Sequence, residues 1–392
     1  MKNSVFFLMT LAVLSLSCSP DDDSKDPYTA IRTQFGSAID PENLPASASQ
    51  TKPAYITRDN SGGNTIDNAR ATLGRVLFYD TQLSIDNTIA CANCHRQESA
   101  FGALAEVSKG VAGGRTARHS MRLVNARFAN EVKFFWDERA PSLEDQTTRP
   151  IRDHAEMGFS GVDGRPSFSA VLEKLQAIGY YQELFKLAYG DTKVTEARMQ
   201  QSLAQFVRSI QSFDSKYDAG RIAVNADNQP FPNFSQQENQ GKNIFLAPPQ
   251  FDQSGSRTGG GAGCAGCHAP PEFDIAPNSG NNGVTGKFNS TESDFSVTRA
   301  PSLRDLIAPD GFPHGPMMHD ASKLTVEDVI EHYNAIPPQT GNTNLDPKLR
   351  PNGSFQKLNL TLQEKQALVA FLKTLTGSAI YSDTRWSSPF QP

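Results

Sequence analysis

The sequence has few cysteines, no excess of positive charge and no apolar run long enough to cross a membrane. Five of its 392 residues are cysteine, and its formal net charge is −5 at pH 7. A chain with this charge and no basic stretch is not expected to bind nucleic acid. The apolar run from Val5 to Leu16 is too short for a membrane span, and a mean hydropathy of −0.46 predicts none elsewhere. Long alternating apolar and polar runs are also lacking, so the predicted fold class is mainly α.

Four of the five cysteines lie in two copies of the pentapeptide C-x-x-C-H. The copies are Cys91-Ala92-Asn93-Cys94-His95 and Cys264-Ala265-Gly266-Cys267-His268. In c-type haem attachment the two thiols form thioethers with the haem vinyl groups, and the adjoining histidine becomes the proximal iron ligand. A single copy would also suit a zinc half-site or a redox-active pair. Two copies about 170 residues apart, enough for a domain each, favour two c-type haems.

The fifth cysteine follows a segment with the pattern of an export signal. Lys2 precedes the apolar run, which ends just before Cys18. The pattern predicts a lipoprotein-type signal peptide over residues 1–17 and lipidation at Cys18. An ordinary signal peptide is the alternative, because Ser15 departs from the usual lipobox. We expect an exported lipoprotein of a Gram-negative bacterium, periplasmic or at the cell surface, that contacts the membrane only through its lipid. The polar residues 18–60 predict a flexible tether.

The remaining chain contains an internal repeat. In each half a predicted amphipathic helix precedes the haem motif, and a long loop and a second, capped helix follow it. The corresponding segments are Gly74–Phe78 with Gly241–Phe245, Arg118-His119-Ser120 with Arg299-Ala300-Pro301, and Trp136-Asp137 with His319-Asp320. Each half is therefore expected to be built from the same unit.

The repeat predicts two tandem domains, one at 61–220 and one at 221–392. Apolar residues at helical spacing within Ser167–Lys216 predict helices that join the halves, and Thr361–Thr376 predicts a last helix. The segment after that helix could pack back on the first domain.

The chain resembles the bacterial dihaem cytochrome c peroxidases and their methylamine-dehydrogenase-maturation relatives, the MauG proteins. The resemblance covers roughly Asn68 to Thr376. Besides the two haem motifs, it rests on Phe135–Ala140, Gln146, Glu156-Met157, Met318-His319-Asp320 and Thr325–Tyr333. It implies two tandem cytochrome c-like domains, each wrapped around one covalent haem.

The resemblance implies a peroxidase that reduces H₂O₂ at the haem of His95 with electrons that pass through the haem of His268. A small donor protein, either a cytochrome c or a cupredoxin, or a quinol-linked donor would supply the electrons. One alternative is a MauG-like oxidase that uses high-valent haems to oxidise a protein side chain or a small organic molecule. Another is a dihaem electron carrier with no enzymatic activity. A homodimer is a further option.

Family members carry their peroxide-cleaving groups at positions that correspond to Gln146 and Glu156. A carboxylate near the iron is a suitable acid/base because peroxide cleavage moves a proton from one oxygen to the other. Trp136 would relay electrons between the haems. A solvated loop carboxylate and a core aromatic are the alternatives for Glu156 and Trp136. Gly110–Gly114 stands where classical members have a capping histidine, so we expect a five-coordinate first haem that needs no reductive activation.

For the second haem, the resemblance implies Tyr333 as the distal ligand. It stands eight residues after Thr325, where classical members have methionine and MauG relatives have tyrosine. A phenolate favours oxidised iron, whereas a thioether raises the reduction potential. Met317, Met318 and His332 are rival ligands, and Tyr333 could instead complete an apolar helix stripe.

The family also holds one Ca²⁺ between its haems. The ligand positions correspond to the side chain of His119 and to the backbone carbonyls of His314 and Pro316. Calcium prefers oxygen ligands, and imidazole is a poor substitute. The alternative is that an imidazole pair or waters replace the ion.

Overall fold

The computed structural model describes residues 26–130, 133–275 and 279–390. The predicted signal peptide and the lipidation at Cys18 lie outside the described residues, as does the first part of the predicted tether. In the described segments, no helix is both long and apolar enough to cross a membrane.

The described residues form eleven α-helices and two small antiparallel sheets, which confirms the mainly α class. The helices are α1 (Thr29–Phe35), α2 (Asn68–Tyr79), α3 (Cys91–Cys94), α4 (Leu143–Arg152), α5 (Phe168–Gln176), α6 (Gly179–Tyr189), α7 (Glu196–Ser209), α8 (Lys216–Ile222), α9 (Gln236–Leu246), α10 (Val326–Asn334) and α11 (Leu362–Lys373). The sheets pair β1 (Pro249–Phe251) with β2 (Arg257–Gly260), and β3 (His268–Ala269) with β4 (Asp274–Ile275). The first sheet precedes the second haem motif in the chain, and the second sheet begins at the motif's histidine, His268.

The same crossing of two helices occurs in both halves. Helix α2 crosses α7 at Gly74, where a Cβ atom would lie 1.9 Å from the carbonyl oxygen of Ser202. Helix α9 crosses α11 at Gly241, where a Cβ atom would lie 1.8 Å from the carbonyl oxygen of Ala367. Any side chain at either glycine would push the two helix backbones apart, because protein interiors are close-packed and leave no room for it. The repeat in the sequence is therefore a repeat in the structure.

Helices α5, α6 and α7 form where the sequence predicts helices, within Ser167–Lys216, and all three pack in the first half. Leu203 and Phe206 of α7 are buried in the first core. The chain leaves that core after Ile210 and enters the second core at Tyr217 on α8. Helical periodicity predicts a buried face, and the structure shows that the first core buries it.

The prediction of a flexible tether is wrong for much of residues 26–60. Ile31 and Phe35 of α1 are fully buried in the first core, and Ile39 follows them there. Both carboxylate oxygens of Glu183 accept backbone N–H groups at the start of α1, at 3.0 and 2.9 Å. Three apolar side chains spaced four residues apart are enough to anchor a segment whose average composition is polar.

The last described segment packs back on the first half. Ile380 and Trp386 are buried in the first core. The Arg75 guanidinium donates to the Ser387 carbonyl at 2.7 Å, and the Tyr79 hydroxyl donates to the Trp386 carbonyl at 2.6 Å. The chain therefore ties its second half to its first after the last helix.

Candidate haem and peroxide site

The first C-x-x-C-H motif forms a single helical turn in the wall of a cavity of about 300 Å³. The His95 backbone N–H donates to the Cys91 carbonyl at 2.9 Å and closes the turn. Since residues three apart share one face of a helix, Cys91 and Cys94 both line the cavity. His95 Nδ1 donates to the Phe101 carbonyl at 3.1 Å, which orients the ring and leaves Nε2 for a metal.

The second motif repeats this arrangement beside a larger cavity of about 670 Å³. The Cys267 N–H donates to the Cys264 carbonyl at 3.1 Å. His268 Nδ1 donates to the Pro301 carbonyl at 3.1 Å, with the Phe273 carbonyl at 3.3 Å. Its Nε2 is likewise left for a metal.

Both sites fit a covalently attached haem. The two volumes lie within the range of about 300–1,000 Å³ that is usual for cofactor pockets. All four thiols are free, and burial raises the pKa of Cys91 and of Cys264 to about 12, so both are neutral thiols. The described residues contain no cluster of three or more His, Cys, Asp or Glu side chains that could hold a metal ion. Thiols beside a cavity and an oriented imidazole are the donor set for c-type haem.

Two predicted catalytic residues, Gln146 and Glu156, line the first cavity together with the haem motif. Helix α4 carries Gln146 and begins at a Ser142 cap, whose hydroxyl accepts from the Asp145 N–H at 3.1 Å. After α4 ends, Asp153 Oδ1 accepts the Glu156 N–H at 3.1 Å and so turns the chain back to the cavity. Burial raises the pKa of Glu156 to about 7, and the charge of Asp153 contributes. A carboxyl with this pKa can both accept and donate a proton near neutral pH.

The segment that lacks a capping histidine lies directly against Glu156. The Val111 N–H donates to the Glu156 carbonyl at 2.9 Å. A Cβ atom at Gly110 would lie 1.9 Å from the Ala155 carbonyl oxygen, and one at Gly114 would lie 2.1 Å from it. The two glycines are therefore required for this close approach. The backbone of this loop thus packs against the backbone of Ala155 and Glu156 and holds it in place.

Trp136 lies between the two cavities and lines both of them. It is 8% exposed, and its indole N–H donates to the His119 carbonyl at 2.7 Å. The His319 ring, its counterpart in the second half, lies 6.3 Å away between ring centres. The aromatic pair is therefore one of the contacts between the two halves, and it lies between the two cavities.

The backbone hydrogen bonds around this pair change one alignment of the repeat. The His119 N–H donates to the His319 carbonyl at 2.9 Å, and the Arg299 N–H donates to the Trp136 carbonyl at 2.7 Å. Because Trp136 and His319 correspond to each other, His119 corresponds to Arg299. The sequence had matched Arg118 with Arg299, one residue off, since two identical arginines outweighed the hydrogen-bond register.

Tyr333 lines the second cavity, as do Met317 and Met318. Its hydroxyl accepts from the Asn282 amide at 3.4 Å, and burial raises its pKa. His332 is not in the cavity wall, and its Nε2 donates to the Asn282 carbonyl at 2.9 Å. His332 therefore lies outside the second cavity, whereas Tyr333, Met317 and Met318 line it.

Comparison with known proteins agrees with this geometry. Residues 68–223 match the family described as di-haem cytochrome c peroxidase. The methylamine utilization protein MauG of Methylophilus methylotrophus is 28% identical, and the alignment covers 86% of this chain and 91% of that protein. The cytochrome c551 peroxidase of Nitrosomonas europaea is 27% identical over 78% of this chain and 80% of its own. Over residues 68–223 the chain thus matches the di-haem cytochrome c peroxidase family, and over most of its length it is similar to MauG and dihaem peroxidase proteins. The match is to a family whose members hold two haems.

Solved structures give the same fold. A MauG-like protein associated with microbial copper homeostasis has a TM-score of 0.67 and 25% identity, covering 87% of this chain and 99% of that one. The diheme peroxidase BthA from Burkholderia thailandensis has a TM-score of 0.60 at 19% identity, covering 81% and 88%. The two cytochrome c-like halves are therefore an architecture that dihaem proteins of this family share.

The residues at the family's calcium position have other partners. His119 Nδ1 donates to the Ala105 carbonyl at 3.0 Å. His314 Nε2 lies 3.3 Å from the Tyr381 hydroxyl, while Pro316 lines the second cavity. The two imidazoles have separate partners, so this geometry gives no support to a metal-binding imidazole pair.

Three residues near the cavities were missed in the sequence. Asn282 contacts Tyr333, Glu272 of the second half lines the first cavity, and Arg122 lines both cavities. The Asn125 amide donates to Glu272 at 3.0 Å, and burial raises the pKa of Glu272 to about 7. None of the three belongs to a local motif, and only the tertiary fold brings them to the site.

Proposed function

We propose that this protein is a dihaem peroxidase that reduces H₂O₂ at the His95 site, with electrons that arrive through the His268 site. One observation carries the proposal. A buried carboxyl whose pKa is about 7, that of Glu156, lines the cavity formed at the first haem motif. A pure electron carrier has no use for a proton-transfer group beside an accessible iron, whereas peroxide reduction consumes two electrons and two protons.

The cysteines attach the haems in this proposal. Cys91 and Cys94 would hold the first by thioether bonds, Cys264 and Cys267 would hold the second, and the histidine of each motif would bind the iron. When bound, the haems supply the one-electron redox chemistry and the site at which peroxide is reduced. The side chains that line the two cavities bind peroxide, move its proton and carry electrons between the two sites.

Glu156 moves the proton in peroxide cleavage. Its carboxylate takes the proton from one peroxide oxygen and delivers it to the other, which leaves as water when the O–O bond breaks. The Gln146 amide donates a hydrogen bond to peroxide and holds it for this transfer. Because this proton comes from the peroxide itself, the two electrons that complete the reduction to two waters come from the donor, and both protons that it consumes come from solvent.

Trp136 carries electrons from the second site to the first. Its position in the walls of both cavities supports this role, because electron transfer is fastest over the shortest gap between cofactors. The ultimate donor is a small redox protein, a cytochrome c or a cupredoxin, or a quinol-linked donor.

A second candidate function is oxidation of a protein side chain or a small organic molecule, as in the MauG branch. The observation that favours it is Tyr333 in the second cavity, with its hydroxyl held by Asn282. We propose that Tyr333 is the distal ligand of the second haem. A phenolate there disfavours reduction of that haem by a high-potential donor.

Export and lipidation are also part of the proposal. They rest on the Lys2 and apolar pattern that precedes Cys18. Intact-mass measurement of the exported protein should show two covalent haems and a diacylglyceryl group on Cys18. A soluble product with a different start would contradict lipidation and leave the enzymatic proposal unchanged.

The decisive experiment is peroxide turnover by the fully oxidised enzyme. In the described residues, the histidines in the first cavity wall are His95 and His119, and His119 Nδ1 is bonded to Ala105. We therefore expect turnover without reductive activation and a high-spin first haem by low-temperature EPR. Activity that appears only after one-electron reduction would reveal a capping ligand. No turnover in either state would favour the electron carrier, and peroxide-dependent oxidation of an organic substrate would favour the oxidase.

A further inference from the structure

Arg122 is a buried cation without a carboxylate partner, and it lines both cavities. Its guanidinium donates one recorded hydrogen bond, to the Ser302 carbonyl at 2.9 Å. Its Nε–H is buried and has no partner. In the part of the chain that the structure describes, no Asp or Glu oxygen lies within ion-pair distance of Arg122.

Other arginines in the same region are paired. Arg304 is fully buried and bonds to Asp218 at 3.0 Å, and Arg118 bonds to Asp137 and Asp294 at 2.8 and 2.6 Å. An unpaired buried charge is strongly unfavourable. Burial accordingly lowers the pKa of Arg122 to about 10. Arg122 has no such ion pair, although the charge of Asp305 acts on it from farther away, and its Nε–H donor is left unsatisfied between the cavities.

Arg122 lies where the two cavities meet, beside the residues that orient both motif histidines. Its Cγ packs against Gly102, where a Cβ atom would lie 2.7 Å away. Gly102 follows Phe101, whose carbonyl holds His95, and Ser302 follows Pro301, whose carbonyl holds His268. Arg122 thus spans from the support of one proximal histidine to the support of the other.

We propose that Arg122 binds a haem carboxylate at the junction of the two cavities. This inference rests on the proposed dihaem assembly. A guanidinium presents a rigid fork of N–H donors that matches the two oxygens of a carboxylate, and haem carries two propionate carboxylates. Its positive charge, held in a site of low dielectric constant, also favours the reduced state of a nearby iron.

The test compares Arg122→Gln and Arg122→Lys with the unmodified holoprotein. The matched control is Arg257→Gln, because Arg257 bonds to Glu364 at 2.8 Å and lines neither cavity. The haem carboxylates are labelled with ¹³C through labelled 5-aminolevulinate, and their bands are followed by redox-difference infrared spectroscopy. Potentiometric titration of both haems is run on the same samples, without peroxide.

We expect Arg122→Gln to shift the labelled carboxylate bands and to lower the equilibrium constant for reduction of at least one haem by roughly tenfold, which is 59 mV for one electron. Arg122→Lys should restore part of both effects, and it keeps the test available if the glutamine variant folds poorly. Unchanged labelled bands in a variant that retains both haems would overturn the proposal. So would a potential that depends on added phosphate or chloride, since a free anion would then be the partner. A protein without peroxidase activity would still give either answer.

Discussion

Replacing Glu156 with glutamine should slow peroxide cleavage and leave both haems in place. The amide keeps the size of the carboxyl but cannot take up and return a proton at neutral pH. A positioned acid/base contributes roughly 10²–10⁴-fold to a rate, which corresponds to about 3–5 kcal/mol of activation free energy. Three other carboxyl groups line this cavity, those of Asp153, Glu272 and Asp274. Each already accepts N–H groups of the protein, so we do not expect them to replace Glu156.

The pH profile of the cleavage step provides an independent check. Burial raises the pKa of Glu156 to about 7, and only the ionised form can accept the peroxide proton. The rate should therefore be nearly constant well above pH 7 and should fall about tenfold for each unit below it. Asp153→Asn keeps an acceptor for the turn but removes a negative charge that raises this pKa, so the acid limb should move to lower pH. Glu156→Gln should abolish the limb.

Stopped-flow absorbance of the haem bands after mixing with peroxide measures the cleavage step directly. Glu98→Gln is the matched control, because Glu98 is close to the haem motif in sequence, bonds to Arg96 at 2.6 Å and lines neither cavity. The control should behave as the unmodified enzyme. A Glu156→Gln variant with an unchanged rate and an unchanged pH limb would refute the assignment of Glu156 and would revive the electron-carrier alternative.

Two further predictions concern packing and the second haem. Gly241→Ala would place a Cβ atom 1.8 Å from the Ala367 carbonyl oxygen. We therefore expect denaturant titration to show a loss of about 3 kcal/mol in the free energy of unfolding. The control Gly62→Ala should have no effect, because nothing lies within 4 Å of its added Cβ. Tyr333→Met should raise the reduction potential of the second haem in potentiometric titration, because a thioether replaces a phenolate. An unchanged spectrum and potential would mean that Tyr333 does not contact the iron. The rival ligands would then be His332 and the two methionines of the same cavity wall, Met317 and Met318.

Much of the site could be predicted from the sequence because its parts are local. The C-x-x-C-H turns close through hydrogen bonds between residues three or four apart, such as that from His95 to Cys91. The caps of α4 and α10 likewise lie within three residues of their partners, at Ser142 and Thr325. The alignment of the two halves agrees with the structure at Gly74 and Gly241, and it is one residue off at His119, where long-range hydrogen bonds decide the register.

The sequence by itself determined the two haem motifs, the mainly helical class and the internal repeat, since these depend on spacing within a few residues. The tertiary structure alone decided which groups are buried and which charges lack a partner. It folded Ile31 and Phe35 of the expected tether into the first core, and it left Arg122 unpaired between the cavities. Burial and pairing depend on contacts between residues that are far apart in the chain, as Arg122 and Ser302 are, so no local sequence pattern predicts them.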